Sequence, residues 1–178
     1  MQRVKQRYGD DISIAWKSFP LLLDYVPGRL ISSHSAEARE RANTEENIFR
    51  PWGESQPYPS SSLPAQVAAK CALKQGSEEF ERYHEAVFRA FFRDCRDISD
   101  TEILTGLATD TGLDIERFRA DFAGGSQETE ILAEYEEART EFEGRGIPLA
   151  IIGGRYPLGG AVPVEMYYRA VDLSLTGK

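Results

Sequence analysis

The chain has 178 residues with 41% hydrophobic content, and its 21 basic and 29 acidic residues leave a net charge of -8; that is enough for one sizeable core, or for a small sheet domain with a helical partner layer. The charge repels phosphate backbones and anionic lipid surfaces, and the densest basic stretch, Arg39 to Arg41, is interrupted by Glu40 and reads as a solvated face, which excludes nucleic acid as a partner. No run approaches the ~18 apolar residues of a bilayer span, and Met1-Gln-Arg-Val-Lys-Gln-Arg lacks the apolar core of a secretory signal, so a cytoplasmic protein with no membrane partner is expected.

Ile12, Ile14 and Trp16 alternate with Ser13, Ala15 and Lys17, the period of a half-buried strand over residues 11–17. Residues 27–62, rich in Pro, Ser, Glu and Arg, read as a connecting segment with at most a short helix from Ala36 to Asn43. From Ser62 the grammar becomes helical. Ser62 is placed to cap a helix that has Pro64 in its first turn, repeats Val67, Ala68, Cys71 and Ala72 at helical spacing, and stops at Gly76. A second helix follows an acidic first turn at Glu78-Glu79 and carries the stripe Phe80, Tyr83, Val87, Phe88 and Phe91, which reads as core.

Ser99 with Glu102 matches a capping box for a third helix, ended by Gly112. Asp114 caps a short helix with Phe118 and Phe122, and Ser126 opens a longer one that keeps Ile131, Leu132, Tyr135, Ala138 and Phe142 on one face as far as Gly144. Leu149 to Ile152 is a short apolar strand, Gly153-Gly154 a two-residue hairpin turn, and Arg155 to Leu158 the return strand, closed by Gly159-Gly160. A last helix opens near Pro163 and places Val164, Tyr167, Tyr168, Val171 and Leu175 on a common side.

Cys71 and Cys95 are the only cysteines, and neither has a second Cys or His at metal spacing, so neither a disulfide scaffold nor a metal site is expected and both read as small apolar fillers. His84, on the aromatic helix, reads as a boundary residue rather than an acid–base catalyst, and His34, in a polar loop, has no identifiable partner for the orienting hydrogen bond that a general base needs. No carboxylate pair has a spacing that implies a glycosidase or a metal site. No catalytic residue is assigned.

Four stretches, Ser61-Ser-Leu-Pro-Ala-Gln-Val-Ala-Ala-Lys70, Lys74-Gln-Gly76, Tyr83-His-Glu-Ala-Val-Phe-Arg-Ala-Phe-Phe92 and Gly146-Ile-Pro-Leu-Ala-Ile-Ile-Gly-Gly154, resemble corresponding stretches of the DsbA-like thioredoxin-fold family, in its FrnE-like group, which includes 2-hydroxychromene-2-carboxylate isomerases. The resemblance runs along essentially the whole chain. It implies an α/β fold in which a thioredoxin-like domain, residues 1–62 and 144–178, receives an all-helical subdomain, residues 63–143. It further implies a cis peptide bond at Ile147-Pro148 and substrate contact by Ile147 and Pro148, with the Ile147 backbone offered to an extended peptide or to glutathione.

The departure from the family is at its start. The first strand and most of the first helix are expected to be missing, and with them the CxxC (or serine, in the isomerases) whose pKa a helix N-terminus lowers. A late-started reading frame, a fragment completed by another chain and a decayed paralogue all fit that pattern. The resemblance thus implies an oxidoreductase relative without dithiol activity in the chain as given. The alternatives are a glutathione-dependent isomerase or transferase, with glutathione as co-substrate and no resident cofactor, and a non-catalytic thiol- or peptide-binding module. Unpaired strand edges would allow a homodimer.

Overall fold

The computed structural model describes residues 1–46, 48–141 and 146–177. Among the described residues, eight helices and one hairpin follow in the order α1 (Gln2–Tyr8), a 3-10 turn (Gly9–Asp11), α2 (Ser33–Glu46), α3 (Leu63–Leu73), α4 (Ser77–Phe92), α5 (Thr101–Asp110), α6 (Ile115–Ala123), α7 (Ser126–Glu141), β1 (Leu149–Ile152), β2 (Tyr156–Gly159) and α8 (Val164–Thr176). The expected Phe142 and Gly144 at the end of the long helix lie outside the described residues.

The chain forms two compact units, Ser18–Tyr135 and Met1–Lys17 with Glu136–Lys178. The sequence placed its divisions at 62/63 and 143/144. Residues 18–62 group with the helices through bonds that leave the segment: Arg50 N donates to Phe92 O at 2.9 Å, Ser60 N to Ser99 Oγ at 3.1 Å and Ser18 N to Glu134 Oε2 at 2.7 Å.

The helical unit is built on small residues of α3. Ala68, Cys71 and Ala72 are fully buried and let Tyr83 of α4, Leu104 and Ala108 of α5, Phe118 of α6 and Ile131 of α7 close over them. Tyr83 satisfies its hydroxyl by donating to Leu104 O at 3.1 Å. Two helix starts differ from the sequence reading. Ser62 Oγ accepts from Leu22 N rather than from its own helix, and Ser61 Oγ takes Leu63 N at 3.1 Å. The box at Ser99 is replaced by Asp100, which accepts from Glu102 N and Ile103 N, because a carboxylate next in line suits a helix N-terminus better than a hydroxyl; Ser99 turns to Asp97 and Ser60. Asp114 caps α6 through Arg117 N, as its position implies.

In the other unit Val4 and Tyr8 of α1 pack on Val171 of α8, with Ile12, Ile152, Val164, Tyr167 and Tyr168 around them. Tyr8 Oη donates to Asp172 Oδ1 at 2.7 Å and to Tyr168 O at 2.9 Å, which ties α1 to α8 at a polar point as well. The strand expected over residues 11–17 does not form. Ile12 is extended at φ -133°, ψ 149° and joins this small core, but residues 12–17 have no ladder partner among the described residues, and alternation alone makes no strand without one.

Among the described residues the sheet is the hairpin alone, with Leu149 opposite Gly159 and Ile152 opposite Tyr156. Gly153 and Gly154 form the turn at φ 58° and 68°, closed by Arg155 N to Ile152 O at 3.1 Å. Arg155 falls outside the ladder, so the connection has three residues where the sequence reading has two, and the return strand begins at Tyr156. A Cβ at Gly153 would also overlap Ser174 Oγ on α8, so this glycine is required twice.

Candidate functional site

Ile147 and Pro148 sit immediately before β1, and their peptide bond is cis. Gly146 at φ 72° turns the chain into them. Ile147 is 41% exposed. Pro148 is held from one side, its carbonyl accepting from Gly160 N at 2.8 Å.

Which peptide groups of β1 face β2 follows from Pro157. Proline has no N–H to give, so the Ile151–Pro157 pair is one of the non-hydrogen-bonded pairs of the antiparallel ladder. The bonded pairs are then Ile152–Tyr156, Ala150–Leu158 and, by the Gly160 bond, Pro148–Gly160. Alternation therefore turns the N–H and C=O groups of Ile147, Leu149 and Ile151 away from β2, along the outer edge of β1. No strand covers that edge among the described residues. Ile151, 37% exposed, stands on it as well. Sequence reasoning singled out Ile147 and Pro148 but missed Leu149 and Ile151, although Pro157 carried the signal.

Neither cysteine is presented as a nucleophile. Cys71 is fully buried inside α3, and burial pushes its thiol from 9.0 up to about 12, so it holds its proton at neutral pH. Cys95 is 6% exposed, takes a left-handed φ of 52°, and points Sγ at Arg50 O and Pro51 O, 3.7 and 3.5 Å away. Both belong to the helical unit. His84 is wedged between the rings of Phe80 and Phe88 at 4.9 and 4.7 Å, and burial lowers its pKa, which favours the neutral imidazole. His34 lies in α2, which begins at Ser33, three residues before the short helix expected from Ala36. No three His, Cys, Asp or Glu side chains among the described residues are grouped to hold a metal ion.

Two buried cations went unread in the sequence. Arg39, expected on a solvated face, is 6% exposed; its guanidinium donates to the carbonyls of Arg50, Phe91 and Phe92 at 3.0–3.1 Å and lies 4.6 Å from the Phe91 ring. It closes the C-terminal end of α4, where terminal carbonyls favour a cation. Lys70, 4% exposed, bridges Glu130 and Glu134 of α7 at 2.7 Å each, and Glu134 also accepts from Ser18 N.

The hairpin with its packed terminal helix, and a helical unit inserted in the chain, make up a thioredoxin-like α/β fold with a helical insertion. The chain belongs to the DsbA-like thioredoxin domain family, whose model matches residues 1–172. A crystal structure from Nitrosomonas europaea, described as a candidate protein disulfide isomerase, shares the fold with a TM-score of 0.74 and 17% identity, over 99% of this chain and 88% of that one. No curated protein sequence matches significantly. No described helix is long and apolar enough to cross a membrane.

Proposed function

We propose that this chain is a thiol-disulfide oxidoreductase-like protein of the FrnE-like group that receives a thiol or an extended peptide along the outer edge of β1, with Ile147 and Pro148 as its substrate contacts, and that these 178 residues perform no dithiol exchange by themselves. The observation that carries the reading is the row of outward peptide groups at Ile147, Leu149 and Ile151, a template for one more strand. The exposed Ile147 side chain supports it by adding an apolar contact at the end of the row. Glutathione suits the same edge because its two amides flank a thiol as in a short extended peptide.

The inactivity follows from the thiols. A nucleophilic cysteine must reach its target as thiolate, and Cys71 is both enclosed and held protonated, while Cys95 is enclosed. Neither has a second cysteine in CxxC spacing.

Titration of the full chain with a short cysteine-containing peptide, and separately with glutathione, tests the reading. Binding weakens about 3- to 10-fold in Ile147→Ala, the loss of an apolar contact worth roughly 1 kcal/mol, and stays unchanged in Cys71→Ser and Cys95→Ser. Dithiol turnover stays at background throughout. Turnover that falls in Cys71→Ser or Cys95→Ser would refute the proposal, as would binding indifferent to residue 147. A second copy competing for the same edge would show as affinity that drops with rising protein concentration.

A further inference from the structure

Three arginines gather at the C-terminal end of α4, all within the Ser18–Tyr135 unit. Arg39 is buried and gives its guanidinium to the carbonyls of Phe91, Phe92 and Arg50, so the negative end of the helix is already met. Arg50 and Arg93 are left over. Both are exposed, and among the described residues neither is paired with a carboxylate. They line one depression of about 430 Å³ together with Asn43, Ile48, Phe49 and Pro51.

That arrangement is out of character for the chain. Its net charge is -8, and cations such as Lys70, Arg82, Arg89 and Arg117 have acidic partners. Two guanidinium groups on one depression repel each other unless an anion stands between them. Their planar forks match the oxygens of a carboxylate or a phosphate, which a lysine pair would meet only as point charges. Asn43 is not free to compete for such a ligand, since its amide is spent on the Phe49 backbone. Ile48, 49% exposed, with Phe49 and Pro51, adds apolar wall beside the charges.

We propose that this depression is a binding site for an organic oxyanion, a carboxylate or phosphate carried on a small apolar body, held by Arg50 and Arg93. The site is separate from the β1 edge and does not depend on what that edge binds.

Amide NMR of the full chain, titrated in turn with phenyl phosphate, phenylacetate and the neutral phenylacetamide, tests it. Saturable shifts are expected at Phe49, Arg50 and Arg93 with the anions and not with the amide, and the tighter anion identifies the head group. The double variant R50Q/R93Q loses about tenfold or more in affinity, whereas R89Q, which breaks only the surface pair of Arg89 with Glu85, binds as the parent does. Both substituted side chains are exposed, so the remaining amide spectrum should stay in place and report an intact fold. Absence of saturable shifts, equal binding of the neutral amide, or undiminished binding by R50Q/R93Q would each overturn the assignment.

Discussion

The two compact units spend their apolar residues differently. Between Ser18 and Tyr135, fourteen buried residues from α3 to α7 form one cluster, and Tyr83, Leu104, Phe118 and Ile131 in it are fully enclosed. In the unit with the hairpin the buried cluster is Val4, Tyr8 and Val171, while Ile147 and Ile151 of the hairpin region stay exposed. A helix satisfies its own backbone and needs only a covered stripe, whereas a strand satisfies half of its groups for each neighbour it has. The helical unit can therefore be complete within itself, and a hairpin of two strands keeps an open edge. The large enclosed core belongs to the first region, and the open strand edge, with the peptide contact proposed for it, to the second.

The largest effect that would break this division is in the helical core. Phe118 is fully buried, 5.6 Å from the Tyr83 ring and 5.7 Å from that of Phe122. Phe118→Ala is expected to cost about 3–5 kcal/mol, read from the urea midpoint. A cost below about 1 kcal/mol would mean that the core is not where the structure puts it.

Next comes the buried cation of α3. Lys70→Met removes the partner of Glu134, whose side chain is 13% exposed, and is expected to cost about 2–3 kcal/mol, near the lower end for a broken buried pair because Glu130 can turn to water. Glu130→Gln, at a side chain 54% exposed, should cost less than about 0.5 kcal/mol in the same measurement.

A smaller effect sharpens the comparison through pH. Folding raises the Cys71 thiol from 9.0 to about 12, so between those values the native state keeps a proton that the unfolded chain has lost. Stability therefore falls as pH rises through that window, by up to about 1.4 kcal/mol per unit, and is fully present below it. Tyr83, whose hydroxyl burial also raises, acts in the same direction at higher pH. Denaturation midpoints between about pH 8 and pH 10.5 should drop by about 2 kcal/mol in the parent and by clearly less in Cys71→Ala; parallel curves would show that the thiol is not enclosed.

Much of this was legible from local chemistry. The helices around Val67 to Ala72 and Tyr83 to Phe91, the Asp114 cap, the strand at Leu149 to Ile152 and the helix after Pro163 follow from periodicity and caps that act within a few residues. What failed depended on distant partners. Residues 12–17 alternate like a strand but have no neighbour to pair with among the described residues. Arg39 looks solvated beside Glu40 and Arg41, and the carbonyls of Arg50, Phe91 and Phe92, the last two some fifty positions on, explain its burial. Ser62 and Ser99 have the right residue type for caps, yet Leu22 and Ser60 claim their hydroxyls. At the candidate site, Ile147 and Pro148 were visible in a local motif, whereas the outward groups of Leu149 and Ile151 required the register with Pro157.

Hydrogen–deuterium exchange of the β1 amides tests the open edge most directly. In the free chain Ala150 and Ile152 should exchange slowly, and Leu149 and Ile151 fast; an added cysteine-containing peptide should slow Leu149 and Ile151 and leave the helical core unchanged. Equal protection of all four amides in the free chain, or no slowing at Leu149 and Ile151 at saturating peptide, would contradict the account.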